Sequence, residues 1–177
     1  AIQFNNLKAS DLHANDKTYD SGGIVEAFKK QVAENRDSIA LVSSKTRLSY
    51  QELDDKSEAV AQYLMSIEAV NPEQLVGIIA DRTVSTVIAM LAVLKAGGAY
   101  LPLDRDYPTS RLAAICQEAQ VRFILGANDA LQIIESPSGD LSALTDIATY
   151  INIESLKGEQ GRVIRLPKTS AAQLAYA

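Results

Sequence analysis

Cysteine and histidine, which mark disulfide scaffolds and metal sites, are scarce in this sequence, and long apolar runs are missing. Among 177 residues there is one cysteine, Cys116, one histidine, His13, and no tryptophan. A single cysteine cannot close an internal disulfide, which excludes a disulfide-stapled secreted scaffold. A lone histidine in a polar stretch has no metal-ligating partner at zinc spacing. No apolar run reaches the roughly 20 residues needed to span a bilayer. Positive charge is also short, with 17 Lys plus Arg against 22 Asp plus Glu and a net charge of −5. Without a basic cluster or a basic stripe interleaved with aromatics, nothing offsets phosphate charge, and nucleic acid is excluded as an expected partner. The expectation is a soluble protein of a reducing, cytoplasmic compartment, with no membrane association.

What is present is a chain long enough to bury a core, with 47% hydrophobic residues. Residues 1–20 are polar, lack a basic start followed by an apolar stretch, and read as a linker or leader. Residues 21–177 read as one domain. After Ser21-Gly22-Gly23, apolar Ile24, Ala27, Phe28 and Val32 recur at helical spacing. Ile39–Val42 and Arg47–Tyr50 read as short strands of a hairpin. Gln51–Ile67 carries Leu53, Ala59, Val60, Tyr63, Leu64 and Ile67 on one helical face. Leu75–Ala80 is apolar throughout and too short for a typical helix, as expected of a central strand buried on both faces. Thr83 is placed to cap a helix carrying Val84, Val87, Ile88, Leu91 and Leu94, and Gly97-Gly98 supplies its left-handed stop. A strand starts at Ala99-Tyr100-Leu101, Pro102 and Pro108 bracket a loop, and Thr109 or Ser110 opens the next helix. Val121–Leu125 reads as a strand, with further strands near Tyr150–Ile153 and Gln173–Tyr176. Segments 136–140 and 157–161 read as loops. This alternation predicts an α/β fold with a largely parallel sheet flanked by helices.

Candidate chemistry is sparse. There is no GxGxxG after a strand and no GxxxxGK[ST], so no loop of backbone amides is available to cradle a nucleotide. Gly97-Gly98 follows a helix, whose C-terminal carbonyls repel phosphate. His13 reads as a solvated linker residue and Cys116 as a small buried hydrophobe. Glu52, Asp54 and Asp55 fall in the first turns of a helix, where the macrodipole favours negative charge. Asp81-Arg82 and Asp104-Arg105-Asp106 lie just past strand ends, where α/β domains place ligands, although local ion pairing is the expected role.

Two stretches carry a resemblance. Leu48-Ser49-Tyr50-Gln51-Glu52-Leu53 is similar to the first core motif, L(T/S)YxEL, of nonribosomal peptide synthetase adenylation domains. Leu94-Lys95-Ala96-Gly97-Gly98-Ala99-Tyr100-Leu101-Pro102-Leu103-Asp104 is similar to their second. Ile24–Phe28 with Gln31 resembles the family's opening helix, and Tyr107-Pro108 with Arg111 its YPxxR continuation. Gln173–Tyr176 resembles the strand that precedes the family's phosphate loop. Arg105 departs from the proline many relatives place after the motif aspartate, and Ala177 stands where a larger β-branched residue is common.

The resemblance implies the first subdomain of an adenylation domain, stopping before the phosphate loop. In that family an amino-acid carboxylate attacks the α-phosphate of Mg-ATP, giving an aminoacyl adenylate and pyrophosphate. The aminoacyl group then passes to a carrier-protein phosphopantetheine thiol. The resemblance implies that the ATP, Mg and amino-acid sites lie downstream, so no catalytic, cofactor-binding or metal residue is assigned here. The motif residues are expected to be structural, and the piece by itself inactive. The implied partners are the remainder of the adenylation domain and the carrier and condensation domains of the synthetase. An MbtH-like protein could dock near Ala99, Tyr107, Pro108 and Arg111. The other readings are such an interaction module, or a relative of the acyl-CoA synthetases and luciferases.

Overall fold

A computed structural model describes residues 23–43, 46–67, 70–71, 74–127, 142–156, 167 and 175–177. The expected leader at 1–20, the loops at 136–140 and 157–161, and residues 173–174 of the last expected strand lie outside them.

The order of elements is α1 (Gly23–Glu34), β1 (Ile39–Val42), β2 (Arg47–Ser49), α2 (Tyr50–Ser66), β3 (Leu75–Ala80), α3 (Val84–Lys95), β4 (Ala99–Asp104), α4 (Thr109–Glu118), β5 (Phe123–Gly126), α5 (Ser142–Thr145) and β6 (Thr149–Asn152). Strands β1 and β2 form a separate antiparallel pair, and the four-stranded sheet has the order β4-β3-β5-β6. Every pairing in that sheet is parallel. The expected α/β fold with a parallel sheet is therefore present, and β3 is central as its unbroken apolar run predicts.

Alternation along the strands builds a core on each face. Val76, Ile78, Leu125 and Ile151 face a cluster with Leu53, Val60 and Leu64 of α2 and Ile88, Ala89 and Val93 of α3. Ile79 and Ile124 face the opposite cluster with Leu112, Ala113 and Cys116 of α4 and Leu144 of α5. Helix α2 shows how the sequence specifies its own packing. Leu53, Val60, Ala61 and Leu64 are its buried apolar positions, one stripe along one face. Buried Ser57 on that side donates its hydroxyl to the Leu53 carbonyl at 2.7 Å, so no polar group is stranded.

Pro102 does not begin a loop. It lies inside β4, opposite Ile78. A proline survives there because β4 is an edge strand of the four-stranded sheet, with β3 on its inner side. The Tyr100 N–H points outward to the Ala175 carbonyl. Strand alternation puts the Pro102 nitrogen on that same outer side, so the β3 ladder loses no donor. The strand expected from Val121 starts at Phe123. Gln120 adopts φ 53, and the Val121 amide closes the end of α4 on the Cys116 carbonyl at 2.8 Å. Tyr50 is the first residue of α2 rather than the last of β2. At the chain's end, Tyr176 makes an isolated parallel bridge to Tyr100.

Candidate functional site

The first motif is a helix start. Leu48 is buried in β2, Ser49 caps α2, and Tyr50 opens it. The Glu52 amide donates to the Ser49 hydroxyl at 3.2 Å, and the Ser49 amide donates to the Glu52 carboxylate at 2.8 Å. This reciprocal capping box satisfies two amides that the helix itself cannot. Leu53, one turn on, is buried, and the Tyr50 ring lies 6.3 Å from that of Phe28 in α1.

The second motif is a helix stop and a strand. Leu94 and Lys95 end α3 and Ala96 caps it. The Gly97 amide reaches the Leu94 carbonyl and the Gly98 amide the Val93 carbonyl, each at 3.0 Å, the double bond pattern of a Schellman cap. Gly97 supplies the required positive φ of 89. Ala99 enters β4 fully buried, followed by Tyr100, Leu101, Pro102, Leu103 and Asp104.

The two motifs meet through Lys95. Its side chain has no exposed surface, and Nζ lies 2.6 Å from Oδ1 of Asp54 in α2. The same nitrogen donates to the Asp54 carbonyl at 2.9 Å and sits 3.6 Å from Glu58 Oε2. The sequence predicts for Asp54 only a helix-dipole role. Its partner is 41 positions away, and no local pattern announces it.

The carboxylates past the strand ends are occupied locally. Asp81 Oδ1 accepts from the Thr83 amide at 3.1 Å, from the Thr83 hydroxyl, and from the Thr86 hydroxyl at 2.5 Å. These hydroxyl and amide donors at the α3 N-terminus, rather than an ion pair with Arg82, hold the Asp81 carboxylate, which corrects the expected local pairing. Asp104 Oδ1 accepts from the Asp106 amide at 3.0 Å. The strand order reverses between β3 and β5, the place where an open α/β sheet offers a ligand crevice. There the Asp81 carboxylate already occupies the positive end of α3, so a phosphate would meet negative charge.

Reactive groups are equally quiet. Burial pushes the Cys116 thiol up from an ordinary 9.0 to about 11, leaving little thiolate near neutrality. Tyr100 is raised by burial and then by the neighbouring Tyr176. Among the described residues no group of three His, Cys, Asp or Glu side chains could hold a metal ion. What the arrangement does is fix backbone: a capped helix, a tied helix pair, and a strand whose outer edge bonds residues 175–177.

One surface remains. Tyr107, Pro108 and Arg111 are exposed at the start of α4, and the Arg111 guanidinium carbon stands 4.2 Å from the centroid of the Tyr107 ring. Ala99 is fully buried at the start of β4 and drops out of the expected docking surface.

Residues 28–175 match the family described as AMP-binding enzyme. Gramicidin S synthase 2 of Brevibacillus brevis is 38% identical over 132 residues, which is 74% of this chain and 3% of that protein. Among solved structures, the N-terminal subdomain of Klebsiella oxytoca NpsA in complex with 3-hydroxybenzoyl-AMSN gives a TM-score of 0.73. It is 21% identical, across 92% of this chain and 39% of that one. The nonribosomal peptide synthetase FmoA3, in its alpha-methyl-L-serine-AMP bound form, also gives 0.73. It is 25% identical, across 88% of this chain and 17% of that one. The chain thus spans a small part of each protein it resembles.

Proposed function

Because the chain belongs to the AMP-binding enzyme family, we propose that it is the opening part of an amino-acid-activating adenylation domain of a nonribosomal peptide synthetase. The observation that carries this reading is the family match over residues 28–175, together with the likeness to gramicidin S synthase 2. The FmoA3 structure, bound to alpha-methyl-L-serine-AMP, supports the reaction class: an amino acid and ATP give an aminoacyl adenylate and pyrophosphate. Loading of a carrier-protein phosphopantetheine thiol would follow.

In this reading, residues 21–177 form the first subdomain and contribute scaffold, not reacting groups. The capping box at Ser49, the Lys95–Asp54 contact and the Gly97-Gly98 turn hold the strand whose edge meets Tyr176. ATP, Mg and the amino acid belong to the remainder of the domain, and the carrier and condensation domains are its working partners. Among the described residues no helix is long and apolar enough to cross a membrane. We read the whole as cytoplasmic. The exposed Tyr107, Pro108 and Arg111 support a second role, the docking of an MbtH-like protein.

The test is the intact mass of the natural protein and its amino-acid-dependent exchange of pyrophosphate with ATP. A mass far above that of 177 residues with exchange activity is expected. A full-length protein that exchanges pyrophosphate with no amino acid overturns the reading. For docking, Arg111→Glu should abolish co-purification of an MbtH-like protein while leaving the melting temperature unchanged, and retained binding would refute it.

A further inference from the structure

Helix α3 is poorly registered by packing alone. From Val87 to Leu94 every residue is apolar, and no residue of Val84–Lys95 is exposed. A helix that is apolar all round has no stripe to distinguish one rotation or offset from the next. Apolar cores tolerate rearrangement provided volume is kept, losing uniqueness before stability. Polar contacts at the two ends make the distinction. At the N-terminal end, Thr86 donates to Asp81 at 2.5 Å. At the C-terminal end, Lys95 Nζ reaches both the carbonyl and the carboxylate of Asp54, with the Phe28 ring centroid 5.7 Å away. Both oxygens of one residue are within reach at a single offset of α3 against α2. A slip of one residue, about 1.5 Å along the axis with a turn of about 100°, moves Nζ away from both Asp54 oxygens and leaves the ammonium only the half-exposed Glu58 carboxylate, 3.6 Å away in the native register, a costlier arrangement.

The register of α3 has a direct readout in the sheet. Lys95 is followed by the Gly97-Gly98 turn, and the Ala99 amide then bonds the Gln74 carbonyl at 3.0 Å. On the outer edge of β4 the Tyr100 amide donates to the Ala175 carbonyl at 2.9 Å, and the Tyr100 carbonyl accepts from the Ala177 amide at 3.2 Å. We propose that Lys95 and Asp54 are positioning residues. Their contact sets α3 against α2, and so sets where the edge of β4 receives residues 175–177. A buried ion pair is a weak source of net stability, because its desolvation offsets its attraction, whereas fixing a register is its best-attested use. Only the effect on turnover rests on the adenylation reading.

The test uses the full-length protein in two forms, Lys95→Met with Asp54→Leu, and Asp54→Asn alone. Hydrogen exchange of the Tyr100 amide is measured relative to Leu125 in β5 of the same sheet, which removes any change in global stability. The double variant should melt within a few degrees of the parent, while relative exchange at Tyr100 speeds about tenfold. Its kcat for pyrophosphate exchange should fall about tenfold with the ATP KM held within about twofold. Asp54→Asn, which keeps the backbone acceptor and a side-chain oxygen, should move Tyr100 exchange about threefold in the same direction. Should the double variant fail to fold, Asp54→Asn decides. Unchanged relative exchange at Tyr100 overturns the proposal, whatever happens to the melting temperature. A parent protein without amino-acid-dependent exchange would refute the adenylation reading and leave the Tyr100 measurement to decide this one.

Discussion

Gly98 is required by space. A Cβ at that position would stand 2.6 Å from Val70 Cγ1, 3.1 Å from the Gln74 carbonyl oxygen and 3.2 Å from Val93 Cγ1. One of those neighbours is backbone and cannot swing away. Gly98→Ala should therefore destabilise by about 1–3 kcal/mol, read as a lowered urea midpoint. Cys116 makes a prediction with a sign. Its folded pKa, raised to about 11, exceeds the ordinary 9.0. The folded state therefore holds its proton after the unfolded chain has lost it. Its contribution to stability is complete below pH 9 and declines as pH rises from about 9 toward 11. Cys116→Ala should show a shallower loss over that interval, and the native thiol should resist iodoacetamide at pH 8 until urea is added. The burial of Cys116 could be read from its place on an apolar helix face. The partnership of Lys95 could not, since a lysine at the end of a helix normally reads as a solvated dipole contact.

At the scale of elements, helix ends carry the specification. Ser49→Ala removes one half of the α2 capping box and should cost about 1 kcal/mol in a denaturation experiment. The end of α4 offers the opposite change. Gln120 holds φ 53 where glycine would be free of strain. Gln120→Gly should stabilise by about 0.5–1 kcal/mol, and a lowered midpoint would count against it. Elements whose signal is local were legible: the apolar run of β3, the stripe of α2, the Thr83 cap and the glycine stop of α3. Boundaries set by tertiary context were not. Pro102 reads as a breaker to any local rule, and only its outward place on β4 makes it harmless. Val121 reads as strand, yet its amide belongs to the closure of α4.

For the whole molecule, the alternation of strands and helices was enough to give the parallel sheet, because each strand buried on two faces needs helices on both. The strand order was not legible, and with it went the location of the crevice between β3 and β5. The structure turns the carboxylates of Asp81, just past β3, and Asp104, the last residue of β4, into a test. If Asp81 and Asp104 serve only local hydrogen bonds, Asp81→Ala should lower stability by about 1 kcal/mol through the α3 cap. In full-length protein both Asp81→Ala and Asp104→Ala should leave the KM values for ATP and amino acid within about twofold. A larger rise in KM for Asp81→Ala would assign a ligand to the crevice, and one for Asp104→Ala a ligand to the end of β4.

The seclusion of the Lys95 amine also gives it a use as a record. Acylating reagents, chemical or cellular, modify only amines that reach solvent, so the exposed Lys29, Lys30 and Lys56 should acylate while Lys95 stays bare. An acyl group found on Lys95 would then date the modification to a moment when α2 and α3 stood apart, during synthesis or after unfolding.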